Sequence, residues 1–234
     1  MPLQLLKSDG SVIAWGLSTS GGTAPSSVTA ANSGVVAVYS TGLAFAALKS
    51  NGSVVAWGDS TYGGTAPSTV TSANSGVIII YSTSSAFAAL KRDGSVITWG
   101  YWYYGGDPNY PSSNGSSLNS GVVDIYSSGS VFAALKSNGS IITWGRDDRG
   151  GNLSMGVFNR SNGNYAYTSV ASSVTSNVIA VNSNDSAFAA LKSNGSVITW
   201  GHTTYGGLAD PIISSGVIAV YPTGSGFLAL TTTA

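Results

Sequence analysis

Short apolar runs recur along this chain, each cut off by Gly, Ser, Asn or Asp. Val35–Tyr39 and Val54–Trp57 are rich in β-branched and aromatic residues, a composition that predicts strands. In Phe45-Ala46-Ala47-Leu48 both alternating sets are apolar, and Val54/Ala56 against Val55/Trp57 repeats the pattern. A one-sided antiparallel sheet would show polar alternate positions, so these strands are expected to be buried on both faces. Ser50-Asn51-Gly52 separates two of the runs, with Asp in place of Asn at Asp9 and Asp93. Asn-Gly and Asp-Gly suit a tight hairpin because both residues tolerate the positive φ of the primed turns. Gly63-Gly64 and Ala66-Pro67 then break the chain before a short, weaker outer strand expected around Ser68–Thr71.

The runs repeat. Lys7, Lys49, Lys91, Lys136 and Lys192 each open a Lys-x-Asn/Asp-Gly-Ser phrase, and each phrase closes on Trp15, Trp57, Trp99, Trp144 or Trp200. The steps are 42, 42, 45 and 56 residues. A Val-Val-Ala-Val-Tyr phrase after Gly34 returns after Gly76, Gly121, Asn177 and Gly216, and Ala44–Leu48 has relatives around Phe87, Phe132, Phe188 and Phe227. Three clear strands and one outer strand in a step of 42 residues match a propeller blade of roughly 40–45 residues. The expectation is an all-β, five-bladed β-propeller of four-stranded repeats over residues 1–234, one domain, with a long insertion at about 146–176 in the fourth repeat. Leu3–Leu6 and Phe227–Leu230 both occupy the Ala-Phe-Ala-Ala-Leu slot, so either the ring closes in one blade that mixes C-terminal strands with Val12–Trp15, or the chain is an excised or engineered piece of a longer array.

Composition narrows the function classes. Only 8% of the 234 residues are charged, against about 25% in a typical domain. Nine Lys and Arg are balanced by nine Asp, with no Glu, and the net charge is zero. Helix-rich folds are disfavoured because the good surface helix formers are scarce. A nucleic-acid clamp needs clustered Lys and Arg, which this chain lacks, and no apolar run spans a bilayer. No signal peptide opens the sequence, while the uncharged Ser/Thr/Asn-rich surface leans towards an extracellular setting. Without cysteine there is no disulfide, thiolate metal site or cysteine nucleophile.

The phrase Phe-Ala-Ala-Leu-Lys-x-Asn/Asp-Gly-Ser-Val-x-x-Trp-Gly, followed by Tyr-Gly-Gly, resembles the RCC1-like repeat family over essentially the whole chain. The resemblance implies a β-propeller. Two departures stand out: the repeats are short for that family, and its terminal Gln-Leu-Gly is replaced by Gly-Gly-Thr-Ala-Pro or similar. Five units are also fewer than its usual seven blades. The fold transfers; exchange-factor or chromatin activity does not, and the neutral charge gives it no support.

Antiparallel connectivity sorts the loops onto two ends of the strands. The Lys-Ser-Asn-Gly turns are nearly identical, whereas the segments after each Trp-Gly differ: Leu17–Ser20, Asp59–Tyr62, Tyr101–Tyr104, Arg146–Arg149 and His202–Tyr205. A constant frame with varied loops is either a recognition surface or unconstrained drift. Tyr101, Trp102, Tyr103, Tyr104 and Tyr110 supply aromatic faces that stack on sugars, anchor partners, or simply fold under their own loop. Arg146, Asp147, Asp148 and Arg149 are joined in the insertion by Met155, Phe158, Arg160, Tyr165 and Tyr167; Asp59, Tyr62, His202 and Tyr205 complete the candidate binding set. The five lysines read as a charged ring or as plain hairpin-end solubility. Tyr39, Tyr81, Tyr126 and Tyr221 read as structural, and Asp124 breaks an apolar strand with no evident partner.

Chemistry is scarce. His202 is the one histidine; a triad would need it with Asp59 or Asp210, and no nucleophile elbow accompanies it. Asp147-Asp148 lacks EF-hand spacing, and no carboxylate pair for glycoside hydrolysis stands out. The sequons at Asn51, Asn138 and Asn194 are explained by the turns themselves. The expectation is a non-enzymatic recognition module for a protein partner, with no cofactor or metal. The alternatives are a lectin-like propeller binding glycan through the third repeat, or a structural subunit in which Leu3–Leu6 and Phe227–Leu230 pair between molecules into oligomers.

Overall fold

The computed structural model describes residues 3–111, 115–154, 157–159, 164–166, 169–207 and 213–232, with backbone alone at 3, 157–159 and 164–166. Met155, Arg160, Tyr167 and Asp210 lie outside the described residues, as do the side chains of Phe158 and Tyr165. The chain forms two compact units, residues 1–108 with 118–120 and residues 109–117 with 121–234.

In the first unit a hairpin of β1 (Leu3–Leu6) and β2 (Val12–Trp15) is followed by a one-turn helix, α1 (Ser26–Thr29). The antiparallel sheet of β3 (Val35–Ser40), β4 (Ala44–Lys49) and β5 (Val54–Gly58) comes next. A second one-turn helix, α2 (Ser68–Thr71), leads to the sheet of β6 (Val77–Ser82), β7 (Ala86–Lys91) and β8 (Val96–Gly100). The second unit repeats the scheme with β9 (Val122–Ser127), β10 (Val131–Lys136) and β11 (Ile141–Gly145). Within its insertion β12 (Val157–Asn159) pairs with β13 (Asn164–Ala166). The sheet of β14 (Val178–Ser183), β15 (Ala187–Lys192) and β16 (Val197–Gly201) precedes the hairpin of β17 (Val217–Thr223) and β18 (Gly226–Thr231).

The middle strand of each complete sheet is buried on both faces, as its doubly apolar pattern requires: β4, β7, β10 and β15 are covered throughout until the terminal lysine. Alternate residues serve different neighbours. Phe45 and Ala47 join Val12, Val28 and Trp57 in one cluster, while Ala44, Ala46 and Leu48 join Ile80, Phe87 and Trp99 in the next.

Two expectations are corrected. Residues Ser68–Thr71 make a helical turn, not a fourth strand, so the complete sheets have three strands. Pro67 sets the extended residue before the helix, and Val70 is buried beneath it; in so short a segment that single anchor outweighs β propensity. In the hairpin turns only glycine takes positive φ: Gly10, Gly52, Gly94, Gly139 and Gly195 lie at 76° to 79°. The Asn or Asp before it instead accepts from the serine after it, as in Ser53 N to Asn51 Oδ1 at 3.0 Å and Ser53 Oγ at 2.7 Å. This is the glycine-bulge hairpin, not a two-residue primed turn. At the two ends, β1 pairs with β2 and β17 with β18 as two-stranded sheets. Leu3–Leu6 already supplies β2 with a partner strand.

Candidate functional site

The segment after each Trp-Gly strand folds the same way in every repeat. An extended residue leads into a three-residue 3-10 turn, closed by a glycine with φ between 88° and 101°. A β-carbon on Gly63 would stand 2.6 Å from Phe87 Cδ2, and one on Gly64 would stand 2.3 Å from the Gly58 carbonyl oxygen. The Gly-Gly pair is therefore demanded twice, once by φ and packing and once by close backbone approach.

Anchors hold this turn beside the loop that precedes the middle strand. Asp59 N donates to Leu43 O at 2.9 Å, and Thr41 Oγ1 donates to Tyr62 O at 3.0 Å. Thr83 Oγ1 to Tyr104 O at 2.9 Å and Asn184 Nδ2 to Tyr205 O at 2.9 Å are the counterparts elsewhere. Both loops thus share one end of the sheets, as the antiparallel order implies. The sequence signal for these anchors is the polar residue two places after Tyr39, Tyr81 or Asn182: Thr41, Thr83 and Asn184.

On this frame the first unit carries a run of rings. Tyr62 stacks on Tyr101 at 6.4 Å and 20°, linking the turns of two successive repeats. Tyr101 meets Trp102 at 5.9 Å and Tyr104 at 5.6 Å; Tyr103 contacts Trp102 edge-on at 5.4 Å and Tyr104 at 5.9 Å. Trp102 is 49% exposed, while the tyrosines are half-buried. The rings hold one another in place and still present aromatic surface. Asp59, a candidate contact residue, caps its own turn by accepting from Thr61 N at 2.8 Å.

In the second unit Arg146 grips Asp148 with two bonds, Nε to Oδ1 at 2.6 Å and Nη2 to Oδ2 at 3.1 Å. Arg149 Nη1 donates to Ser186 Oγ at 2.6 Å, and Asp147 Oδ1 accepts from Asp148 N at 3.0 Å. At this exposure such pairs contribute about 0–1 kcal/mol each, so their role is to set shape. His202 begins its turn and packs edge-on against Tyr205 at 5.5 Å. Tyr110, assigned to the second unit, accepts from Gly145 N through its carbonyl at 3.1 Å. No group of three or more potential metal ligands occurs among the described residues.

The opposite end is structural. Lys49, Lys136 and Lys192 donate Nζ to the carbonyls of Ser27, Ser117 and Ser173 at 2.9, 2.7 and 2.8 Å, pinning the helical turns. Asp9 and Asp93 are held below the usual carboxylate range, first by the hydroxyls of Ser11 and Ser95 and then by their amides. Asp124 gains its partners: Ile125 N donates to it at 2.8 Å, and it bonds Tyr126. Burial, then the Asp124 charge, pushes the Tyr126 hydroxyl up to about 12, and a bond to the Val181 backbone ties it to the next sheet.

No family model and no curated protein matches this chain. Solved structures do. Yeast RCC1 (Prp20), in its complex with Kap60, aligns with a TM-score of 0.53 at 14% identity, covering 100% of this chain and 62% of that one. Prp20p from Saccharomyces cerevisiae aligns at 0.48 and 16% identity over 99% of this chain and 61% of that one. Human WBSCR16 aligns at 0.48 and 17% identity over 99% and 70%. This chain thus spans under two thirds of the length of the yeast protein. At such identities the likeness is one of fold, and it agrees with the repeated Ala-Leu-Lys-x-Asn/Asp-Gly-Ser-Val-x-x-Trp-Gly phrase: this chain has the RCC1-like β-propeller repeat fold.

Proposed function

We propose that the protein is a non-enzymatic recognition module that grips a protein partner through the 3-10 turns after its Trp-Gly strands. One observation carries this reading: five turns share one backbone while their side chains read Ser-Thr-Ser, Ser-Thr-Tyr, Trp-Tyr-Tyr, Asp-Asp-Arg and Thr-Thr-Tyr. A frame that costs two glycines per repeat and leaves the displayed residues free to vary is what a recognition surface needs. Tyr62, Tyr101, Trp102, Tyr103 and Tyr104 would supply apolar anchors, since Tyr and Trp dominate binding hot spots at low entropic cost. Tyr110, Arg146, Asp147, Asp148, Arg149, His202 and Tyr205 would supply polar selectivity, with Asp59 shaping its turn. The yeast RCC1 structure, solved with Kap60 bound, shows another chain of this fold in a protein complex.

The test replaces Trp102-Tyr103-Tyr104 by the Ser-Thr-Ser of the first turn. The backbone frame is shared, so the fold should survive by circular dichroism while partner capture in quantitative pull-downs falls at least tenfold. Unchanged capture rejects the site. The half-exposed Trp102 favours one second reading, stacking on a sugar ring. Saturable binding to one sugar class on a glycan array, lost in Trp102→Ala, would select it. A turnover screen that finds activity lost in His202→Ala would overturn the non-enzymatic reading.

A further inference from the structure

The charges of the first unit are sorted by end. Its side chains carry four cations, Lys7, Lys49, Lys91 and Arg92, and four carboxylates, Asp9, Asp59, Asp93 and Asp107. All four cations belong to the hairpin turns. The amides of Lys7, Lys49 and Lys91 donate to Ser11 O, Ser53 O and Ser95 O across those turns, and Arg92 N donates to Gly76 O. Asp9 and Asp93 lie in the same turns, each accepting from the serine hydroxyl two places on. Four cations against two carboxylates leave that end at +2, whereas Asp59 and Asp107, with no cation, leave the other at −2.

These two carboxylates bracket the run of rings. Asp59 opens the turn that ends in Tyr62, in the place that Tyr101 takes in the next turn. One of its oxygens is used by Thr61 N, and its Oδ2 has no partner among the described residues. Asp107 is exposed and follows Gly106, whose amide is held by Tyr101 O at 3.0 Å and whose carbonyl is held by Thr98 Oγ1 at 3.1 Å. An aromatic face is negative at its centre, so rings and carboxylates set up a field of one sign. A neutral partner would use the rings alone; a cation uses both. In the second unit the arginine-bearing turn has two Asp for two Arg, with Arg146 held by Asp148 and Arg149 by Ser186.

We propose that the ring cluster between Asp59 and Asp107 receives a basic, arginine-bearing segment of the protein partner. The proposal rests on the recognition reading above and names the chemistry that its aromatic turns select. A guanidinium is planar and weakly hydrated, so it lies flat on the face of Trp102 or a neighbouring tyrosine while its N–H groups donate to a carboxylate. The four cations at the far end leave this face unscreened by the unit's own positive charge.

Fluorescence anisotropy with a labelled peptide of alternating arginine, glycine and serine tests it on the whole chain. The comparison peptide carries citrulline, which keeps the shape of arginine without its charge. The arginine peptide should bind saturably, and the citrulline peptide about tenfold more weakly. Trp102→Ala should weaken the arginine peptide by about three- to tenfold, and Trp102→Phe, which keeps an aromatic face, should restore most of that loss. The Asp59→Asn/Asp107→Asn double variant should weaken it to a similar degree and flatten its salt dependence; asparagine still caps the Asp59 turn. The Asp9→Asn/Asp93→Asn double variant removes the same charge from the far end and should leave the affinity unchanged. No binding of the arginine peptide, equal binding of the two peptides, equal losses from the two Asp pairs, or undiminished binding by Trp102→Ala overturns the proposal. The recognition reading fails separately: the Ser-Thr-Ser replacement reads partner capture whatever the partner's charge, so capture lost there without any preference for arginine rejects the basic segment alone.

Discussion

At the scale of single residues, the buried tryptophans carry the most weight. Trp99 packs on Phe87, fills the cluster with Ile80 and Ala89, and gives its indole proton to Gly63. Trp99→Ala should cost about 3–5 kcal/mol in urea unfolding, as large aromatic truncations do. Trp15→Ala should cost far less, since half of that side chain already meets solvent. Tyr126 makes a separate prediction. Its folded value of about 12 exceeds the ordinary 10.0 because burial and Asp124 oppose the phenolate. Its contribution to stability is therefore complete below pH 10 and is lost as pH rises through 12. Ultraviolet titration should show one tyrosine ionising late, and Tyr126→Phe should remove that step.

At the scale of elements, the repeated hairpin turn decides register. Asn51 Oδ1 collects both the amide and the hydroxyl of Ser53, while Gly52 supplies the positive φ. Asn51→Ala should destabilise by about 1 kcal/mol for lost, partly solvated bonds, measured by chemical denaturation. Asp9 and Asp93 make the same turn with a charge. Their depressed values mean that their contribution is present above the model-peptide value of 3.8 and disappears as pH falls through the lower folded one. The Asp9→Asn/Asp93→Asn double variant should show a shallower fall of stability below pH 3.8. Asparagine already serves in three sister turns, so the fold should be retained.

At the scale of the whole molecule, the chain is a run of similar sheets, each packed on its neighbours within its unit. Such arrays open locally rather than all at once. Native-state hydrogen exchange should find the amides of β4, β7, β10 and β15 slowest, because these strands are paired on both edges and buried on both faces. The β1–β2 and β17–β18 hairpins, with no third strand, should exchange first under dilute conditions.

Repeat length, strand order and two-faced burial were legible in the sequence because period and apolar pattern are local properties, repeated often enough to average out single departures. The loop end was legible too, since antiparallel connectivity alone places the segments after Trp-Gly beside the Tyr-Ser-Thr turns. The helical turn at Ser68–Thr71 was not: four residues carry too little pattern, and the burial of Val70 decides them. Nor was the role of the lysines, whose partner carbonyls lie about twenty residues away in the chain. Identical tryptophans also look identical in sequence. Only tertiary packing tells Trp99, covered by Phe87 and Gly63, from Trp15, for burial depends on which strand and which glycine turn arrive alongside.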